Sequence, residues 1–268
     1  MKERLPEPNL LGKTVSLKIE EKKPNGVFSA IAENDQPAYL FGGEAKTAAV
    51  IGVFRRKDGE MALLCVPEAL AGSPICYECN LLHALRPSED LDGGKLFPLY
   101  EKTSGAVLYT ERDGERRYLL VKSGSGHVGF PKGHIEYGET ELENAEREIF
   151  EETGLPFSPH PDFRAEYSYT TLENTRKTGV FFLSHYDDRA LSFQKEEVFA
   201  DWLVPYEKAM ALLNFPEDRE VLKAAERLLS GEKNFKREKK REKNLFFGAL
   251  PRTPLTFVAK RKRKAILL

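Results

Sequence analysis

The acidic segment from Phe130 to Leu155, FPKGHIEYGETELENAEREIFEETGL, constrains the fold of this chain more than any other stretch, and it contains eight glutamates. Thr140 and Glu143 have the S/T-x-x-E spacing of a capping box, which marks the start of a helix. Gly154 can end that helix, because glycine readily adopts the left-handed conformation that follows a last helical turn. The spacing therefore predicts a short, sharply bounded helix that begins at about Glu141.

The predicted helix has two different faces at about 100° per residue. An apolar stripe that can face the core consists of Leu142, Ala145 and Ile149. The adjoining face carries three carboxylates, Glu148, Glu151 and Glu152. Like charges three and four residues apart destabilise an isolated helix, so this face requires a cationic partner. Arg147, four residues before Glu151, supplies one counter-charge, and a hard divalent ion that bridges carboxylates to phosphate supplies another.

The loop that precedes this helix is suited to phosphate or metal. Gly129, Gly133 and Gly138 permit close backbone approach, and Lys132 adds a cation within reach of phosphate. A glutamate-rich helix on its own is usually a solvent-exposed surface. The combination of helix and loop favours a site for a metal ion and phosphate instead.

The segment resembles the Nudix box, G-x5-E-x7-R-E-U-x-E-E-x-G-U, in which U is an apolar residue. Every fixed position matches: Gly133, Glu139, Arg147, Glu148, Glu151, Glu152 and Gly154, with Ile149 and Leu155 at the apolar positions. The resemblance to Nudix proteins covers about 104–230. It implies an α/β/α sandwich that hydrolyses a pyrophosphate linkage in a nucleoside diphosphate joined to another group, with one to several divalent cations.

The resemblance also implies roles for individual residues, with Mg²⁺ as the cofactor and Mn²⁺ as the alternative. Metal ligation falls to Glu148, Glu151, Glu152 and the carbonyl oxygen of Gly133. Support of the site falls to Arg147 and Glu139. Phosphoryl transfer depends on positioning and charge neutralisation, which carboxylates and a divalent ion provide. The general base is left open among Glu151, Glu152, Glu196 and Glu197, and the last two are favoured as ordinary loop charges.

Within the Nudix family, GFPKGHIE and the ending WLVPYEKAMALLNFPEDREVLKAA resemble asymmetric diadenosine tetraphosphate hydrolases. By this resemblance, Lys132, His134 and Lys177 contact the polyphosphate chain, although each also suits an ordinary exposed or turn position. A tyrosine after the box, Tyr167 or Tyr169, then stacks on adenine. Because tyrosine is common in strands, packing is an equally good interpretation of either one.

The first hundred residues predict a small β-rich, barrel-like domain. Apolar runs at 14–20, 27–33, 47–54 and 61–67 are separated by Gly, Asn, Asp and Pro. A degenerate soluble inorganic pyrophosphatase is resembled by the segments LLGKTVSLKIE, TAAVIGVF, LLCVPEAL, ECNLLHAL and LFPLYEKTSGAVLYT. Active pyrophosphatases use a cluster of aspartates to bind Mg²⁺. In this chain KTAAVIG occupies the place where a strand with such aspartates would be expected, so no pyrophosphatase activity is expected. A structural or substrate-gating role and a role in dimerisation are left open.

A polar, turn-rich interval at 86–98 places the domain boundary near Glu101. The predicted segments are a β-rich domain at 1–101, a Nudix domain at 102–231 and a basic tail at 232–268. Strands are expected at 104–110, 116–122, 163–172, 177–186 and 197–204, and helices at 206–213 and 217–230. The predicted fold class is α+β, an α/β/α sandwich with a mixed sheet that follows the barrel-like domain.

Charge divides the chain. The tail at 232–268 contains thirteen Lys or Arg and three Glu, a net charge of +10, whereas 1–231 has a net charge of −11. Blocks of like charge resist compaction, so the tail is expected to be disordered. Electrostatic contact of the tail with RNA is the functional alternative.

Apolar runs and cysteines bear on location. No apolar run approaches the length of a membrane span, and three cysteines are too few for a disulfide framework, so a cytoplasmic location is expected.

A zinc site would use Cys65, Cys76, Cys79 and His83. Without a second CxxC pair, ordinary buried thiols are favoured over zinc.

The leading hypothesis is a Mg²⁺-dependent hydrolase that cleaves diadenosine tetraphosphate to ATP and AMP. One alternative is removal of pyrophosphate from RNA 5′ ends, and another is a nucleotide-sensing protein without catalysis. The expected partners are a nucleotide polyphosphate and, through the tail, RNA. No membrane is expected, and a homodimer is compatible with the sequence.

Overall fold

The structure is a computed structural model of the chain. It describes residues 10–33, 35–89, 91–124, 126–171, 174–187, 198–231 and 256–257. The chain divides into two compact units. The first unit contains Met1–Lys102, His134–Glu139 and Tyr169–Thr178. The second unit contains Thr103–Gly133, Thr140–Ser168 and Gly179–Leu268. The first unit thus includes two segments that follow the predicted boundary near Glu101.

Five strands of the first unit close into a barrel. They are β1 (Thr14–Lys22), β2 (Phe28–Ala32), β3 (Pro37–Leu40), β4 (Thr47–Arg55) and β5 (Met61–Val66). Neighbouring strands follow the order β1-β2-β3-β5-β4, and β1 also pairs with β4, which closes the ring. β3 and β5 are parallel, and the other pairs around the ring are antiparallel. The predicted barrel-like first region is confirmed.

Strand β4 is buried on both faces. Val50 belongs to a core cluster to which all five barrel strands contribute. The next residue, Ile51, belongs to a second cluster that includes Leu81 and Leu85 of helix α1 (Glu78–Leu85). Because successive strand side chains point to opposite faces, burial of both faces produces a continuous apolar run instead of an alternating one.

Sequence reasoning missed several short elements of this unit. They are β3, α1, β6 (Lys95–Pro98) and two 3₁₀ turns at Glu68–Leu70 and Pro74–Cys76. The interval at 86–98 was predicted to be turn-rich throughout, which is wrong for its last four residues. β6 pairs with β4, so its hydrogen bonds come from residues far away in the chain and leave no local pattern.

The larger sheet has its own set of strands and helices. The strands are β7 (Tyr100–Arg112), β8 (Glu115–Ser123), β9 (Val128–Gly129), β10 (Lys132–His134), β11 (Ala165–Thr170), β12 (Arg176–His185), β13 (Val198–Pro205) and β14 (Thr256–Phe257). The helices are α2 (Glu141–Thr153), α3 (Tyr206–Leu212) and α4 (Pro216–Leu229). The strand order is β13-β8-β7-β12-β11-β14, with β9 beside β8 and β10 beside β7.

Helices pack on both faces of this sheet. Ala106 of β7 belongs to the core cluster that contains Ile149 of α2. The next residue, Val107, belongs to the cluster that contains Leu222 of α4. The predicted α/β/α sandwich and the α+β class are therefore confirmed. The predicted helices at 206–213 and 217–230 agree with α3 and α4 to within one residue at each end.

Two predictions fall on residues outside those that the structure describes. Glu196 and Glu197 are among them, and so is the tail at 232–268 apart from Thr256–Phe257, which pairs with β11 at Ala165 and Glu166. In the part of the chain that is described, no helix is long and apolar enough to cross a membrane.

Candidate active site

Helix α2 begins and ends where the sequence pattern places its boundaries. Thr140 Oγ1 accepts the N–H of Glu143 at 3.3 Å, and Glu143 Oε2 accepts the N–H of Thr140 at 2.8 Å, which is the predicted capping box. Gly154 follows the helix with φ = 70°. Ala145 and Ile149 are fully buried against the sheet, and this packing fixes the direction of the acidic face.

The predicted apolar stripe is wrong at Leu142, which is 46% exposed. Leu142 lies in the first turn of α2 and lines an open groove with a volume of about 560 Å³. The other lining residues are Thr140, Glu141, Pro159, His160, Pro161, Phe163, Arg164 and Phe182. Helical periodicity gives the direction of a side chain, but it does not determine how closely another segment packs against it.

The backbone at Gly133 and the carboxylate of Glu148 are in close contact. A Cβ atom at position 133 would collide with the Glu148 carboxyl group, so a larger residue here would displace that group from its present position. Glu148 is 7% exposed. A buried carboxylate therefore lies directly against the part of the backbone whose carbonyl oxygen is the expected fourth ligand.

Arg147 binds two carboxylates of the acidic face. Its Nη1 atom donates to Glu148 Oε1 at 2.8 Å and to Glu151 Oε2 at 3.0 Å. The counter-charge predicted for Glu151 is thus present. A shared guanidinium reduces repulsion between the carboxylates and restricts their orientations, yet the three side chains together still have a formal charge of −1.

The third carboxylate of this face, Glu152, is bonded to the preceding loop. Glu152 Oε2 accepts the N–H of Lys132 at 3.0 Å. The next loop residue, Gly133, is the one in contact with Glu148. The backbone of Lys132, the first residue of β10, is therefore bonded to one carboxylate of α2, and the backbone of Gly133 lies against another.

Asn144 anchors α2 to the sheet, and sequence reasoning missed it. Its Oδ1 atom accepts the N–H of Ser104 at 3.1 Å and the Ser104 hydroxyl at 2.5 Å, and both residues are fully buried. The two residues are 40 positions apart. No local spacing links them, so only the folded chain reveals the contact.

The donor atoms of the acidic face suit a hard divalent ion. Three carboxylates and a backbone carbonyl offer the oxygen ligands that Mg²⁺ and Mn²⁺ prefer. Among the residues that the structure describes, no three His, Cys, Asp or Glu side chains form a ready-made metal site. Glu151 accepts a hydrogen bond from Arg147 and Glu152 accepts one from the Lys132 backbone, and a carboxylate can accept further contacts beside such a bond.

Tyr167 is a core residue. It is 6% exposed, and its ring stacks on Phe181 with the centroids 5.6 Å apart. Its hydroxyl donates to Asp218 Oδ1 at 2.7 Å. These contacts match the packing interpretation of this tyrosine.

Asp218, in the first turn of α4, is a buried carboxyl group that sequence reasoning missed. It is 3% exposed. Burial raises its pKa to about 6, although the hydrogen bond from Tyr167 and the charge of Lys132 oppose the rise. The letters PEDRE resemble an ordinary acidic helix start, so the sequence gives no signal that this position is buried.

The first unit contains the remaining predicted residues that the structure describes. Tyr169 is 44% exposed, which leaves its ring accessible. Glu139 Oε2 accepts the N–H of Glu136 at 2.9 Å, so its carboxylate stabilises its own loop.

His134 and Lys177 both contact one carboxylate in the first unit. His134 Nε2 lies 3.2 Å from Glu101 Oε2, and Lys177 Nζ forms an ion pair with the same oxygen. Glu101 was placed at the domain boundary by sequence reasoning and received no other role. Its partner His134 is 33 positions away, so no motif spacing connects the two residues.

The three cysteines are free thiols. Cys65 and Cys76 are buried, and Cys79 is partly buried. Burial raises the pKa of Cys65 to about 12, which keeps that thiol protonated and unreactive at neutral pH.

Known proteins define the class to which this geometry belongs. The model of the NUDIX domain family matches residues 100–225. The asymmetrical bis(5′-nucleosyl)-tetraphosphatase of Mus musculus is 32% identical over 119 residues, which cover 42% of this chain and 80% of the mouse protein. The Sus scrofa protein of the same name is 30% identical over 119 residues, with the same coverage. A solved structure described as a binary complex of a C. elegans Ap4A hydrolase is 23% identical, with a TM-score of 0.47, and covers 49% of this chain and 98% of that chain.

The family model and the two tetraphosphatases place the chain in one class of enzymes. The chain belongs to the Nudix family. It is a Nudix hydrolase, an enzyme that acts on pyrophosphate bonds. Members of this family bind nucleotide substrates and generally use divalent metal ions.

Proposed function

We propose that this Nudix hydrolase cleaves dinucleoside polyphosphates and converts diadenosine tetraphosphate and water into ATP and AMP, with Mg²⁺ as the cofactor. The observation that carries the proposal is the acidic face of α2, where the Glu148 carboxylate lies against the backbone of Gly133. The similarity to asymmetrical tetraphosphatases over most of their length supports the choice of substrate class.

The proposed ligands of the divalent ion are Glu148, Glu151, Glu152 and the carbonyl oxygen of Gly133. When bound, the ion supplies charge neutralisation and orientation of the phosphate oxygens. Arg147 limits the orientations of Glu148 and Glu151 through its two hydrogen bonds. Burial of Glu148 further restricts that carboxylate, so its position is set before substrate arrives.

One carboxylate accepts the proton of the attacking water as the water oxygen bonds to phosphorus and the bond to the leaving phosphate oxygen breaks. The candidates for this base are Glu151, Glu152, Glu196 and Glu197. Supporting residues for catalysis are Arg147 and Glu139.

The proposed contacts to the polyphosphate chain come from Lys132, His134 and Lys177, which are cations or hydrogen-bond donors. Tyr169 is the proposed stacking residue for adenine, because its side chain is accessible whereas Tyr167 is buried. Aromatic stacking tolerates different bases, so Tyr169 would contribute affinity more than base specificity.

Incubation of the full chain with diadenosine tetraphosphate and Mg²⁺ tests the proposal, with the products separated by ion-exchange chromatography. ATP and AMP are expected in equal amounts. Removal of divalent ions with EDTA should abolish turnover, and separate addition of Mg²⁺ and Mn²⁺ would identify the better cofactor. Cleavage of ADP-ribose without cleavage of any dinucleoside polyphosphate would show that the proposed substrate class is wrong.

The charge of the tail favours a second candidate, removal of pyrophosphate from triphosphorylated RNA 5′ ends. The tail has a net charge of +10 and can contact an RNA backbone. Deletion of residues 232–268 should lower turnover of such RNA and reduce its salt dependence. Equal turnover by the full and the shortened chain at every salt concentration would exclude this use of the tail.

A further inference from the structure

Glu101 of β7 holds together two side chains that the proposed function gives to the polyphosphate. His134 Nε2 lies 3.2 Å from Glu101 Oε2, and Lys177 Nζ is paired with the same oxygen atom. The Glu101 side chain is 13% exposed, and all three residues belong to the first unit. The Glu101 carboxylate therefore differs from a carboxylate in an open surface ion pair, whereas the side chain of His134 is 60% exposed.

Backbone hydrogen bonds on both sides of Glu101 support this arrangement. Arg176, the residue before Lys177, donates its N–H to the carbonyl oxygen of Leu99 at 2.6 Å. Ile135, the residue after His134, donates its N–H to the carbonyl oxygen of Lys102 at 3.1 Å. Each of the two side chains is thus placed beside Glu101 by its own neighbour in the chain.

The charges in this cluster do not favour an anion while Glu101 is in place. Burial raises the pKa of Glu101, but the hydrogen bonds from His134 and Lys177 outweigh burial and hold its pKa below the ordinary value. Glu78 is a second carboxylate within electrostatic range of the same three groups. The four side chains have a net charge of −1 with a neutral imidazole and of zero with a protonated one.

We propose that Glu101 is a positioning residue of the polyphosphate site: it is the internal counter-ion of His134 and Lys177, and a phosphate group displaces it. The identity of the ligand rests on the proposed function. Carboxylate and phosphate oxygens accept hydrogen bonds from the same donors, and a carboxylate in the same chain competes at a high effective concentration. Glu101 keeps the two donors paired in the free protein and weakens every phosphate ligand that uses them.

Glu101→Gln tests this competition, because glutamine keeps the shape and an acceptor oxygen but removes the charge. Binding of inorganic tripolyphosphate to the full chain is measured by isothermal titration calorimetry. We expect about tenfold tighter binding, because a neutral amide oxygen competes with phosphate for the two donors less well than a carboxylate does. Glu78→Gln is the matched control: it makes the same change of charge, but Glu78 acts on His134 and Lys177 through space only, so we expect about twofold or less.

A double variant tests whether Glu101 acts through Lys177. In a Lys177→Met protein, the added effect of Glu101→Gln should fall from about tenfold to about twofold, because the main partner of the carboxylate is gone. In an active enzyme, Glu101→Gln should lower the KM for diadenosine tetraphosphate about tenfold and change kcat by less than about twofold. If Glu101 had a purely structural role, Glu101→Gln would lower the Tm without a tenfold fall in KM at nearly constant kcat.

Equal or weaker tripolyphosphate binding by Glu101→Gln, or no binding by either protein, would overturn the inference. If the Glu101→Gln protein did not fold, Lys177→Met alone must weaken tripolyphosphate binding, and an unchanged affinity would overturn it. Tripolyphosphate binding requires no turnover. Absence of diadenosine tetraphosphate cleavage with the tenfold effect intact would therefore count against the proposed function alone.

Discussion

Helix α2 and the start of helix α4 each bury one carboxyl group of the second unit, in different surroundings. Glu148 of α2 is 7% exposed and accepts a hydrogen bond from Arg147 at 2.8 Å. Asp218 of α4 is 3% exposed and accepts a hydrogen bond from the hydroxyl of Tyr167 at 2.7 Å. The first carboxylate has a permanent cation as its partner, whereas the second has a neutral phenol.

The difference shows that burial alone does not create a cation site. A guanidinium stabilises an ionised carboxylate, and the acidic face of α2 can therefore keep its negative charge for a metal ion. A phenol compensates less of the cost of burying charge, and burial raises the pKa of Asp218 to about 6. Asp218 thus binds a proton more readily than an ordinary aspartate does. Glu148 is the better candidate for a ligand of a divalent ion.

The largest expected effect comes from Glu148→Gln, which removes the charge while keeping the shape. We expect kcat to fall by a factor on the order of 10²–10³, because one of the proposed carboxylate ligands of the divalent ion loses its charge. Turnover of diadenosine tetraphosphate and circular dichroism of the folded protein are the measurements. Glu146→Gln, on an exposed position of the same helix, is the control and should keep full activity. Equal losses in the two variants would show that the buried carboxylate has no special role.

Asp218→Asn is expected to stabilise the protein at neutral pH. The folded pKa of about 6 lies above the ordinary value of 3.8, so the protonated form is favoured by folding. This contribution to the free energy of unfolding is complete below about pH 3.8 and is lost as the pH rises through about 6. Asparagine stays neutral and still accepts the Tyr167 hydrogen bond, so the variant should be about 2 kcal/mol more stable at pH 7.5.

Urea unfolding at pH values from 4 to 8 measures the effect of Asp218→Asn, which should shrink toward pH 4. Glu207→Gln, at an exposed acidic position in the first turn of α3, is the control and should show no such pH dependence. A variant that is less stable than the parent protein at pH 7.5 would mean that the ionised form of Asp218 is well compensated, and the contrast with Glu148 would then disappear.

Tyr167→Phe should have a smaller effect on stability. It removes the hydroxyl that donates to the buried Asp218 carboxyl, which costs about 1–2 kcal/mol. The Tm should fall, whereas the KM for substrate should remain unchanged because the ring is buried. Tyr169→Phe is the matched control, since the same hydroxyl is removed from an accessible side chain. An increased KM in Tyr167→Phe with an unchanged Tm would contradict the packing role.

Thr140→Ala is expected to have the smallest effect. Helix α2 begins with a complete capping box, whereas α4 has no side-chain capping bond at Phe215. Loss of the Thr140 cap should lower the free energy of unfolding by about 1 kcal/mol, measured by urea denaturation. Phe215→Ala removes no capping bond and provides the comparison. Identical effects of the two substitutions would show that the cap does not contribute to the stability of α2.

Local spacing predicted α2 correctly because its signals act within one helical turn. The capping box and the glycine after the helix need only neighbouring residues, and Ala145 and Ile149 are buried as the period requires. Leu142 has the right period but the wrong environment, because its burial depends on how closely another segment packs. Strand β6 has no detectable pattern, because its pairing with β4 comes from the fold of the whole unit.

The sequence by itself determined the acidic box and the boundaries of its helix. Only the tertiary structure decided the partners of the carboxyl groups of Asp218 and Glu101. Asp218 meets Tyr167 from 51 positions away, and Glu101 meets His134 from 33 positions away. The pKa and the partners of a buried group depend on residues that are distant in the chain and become neighbours only through folding, so motif spacing cannot specify them.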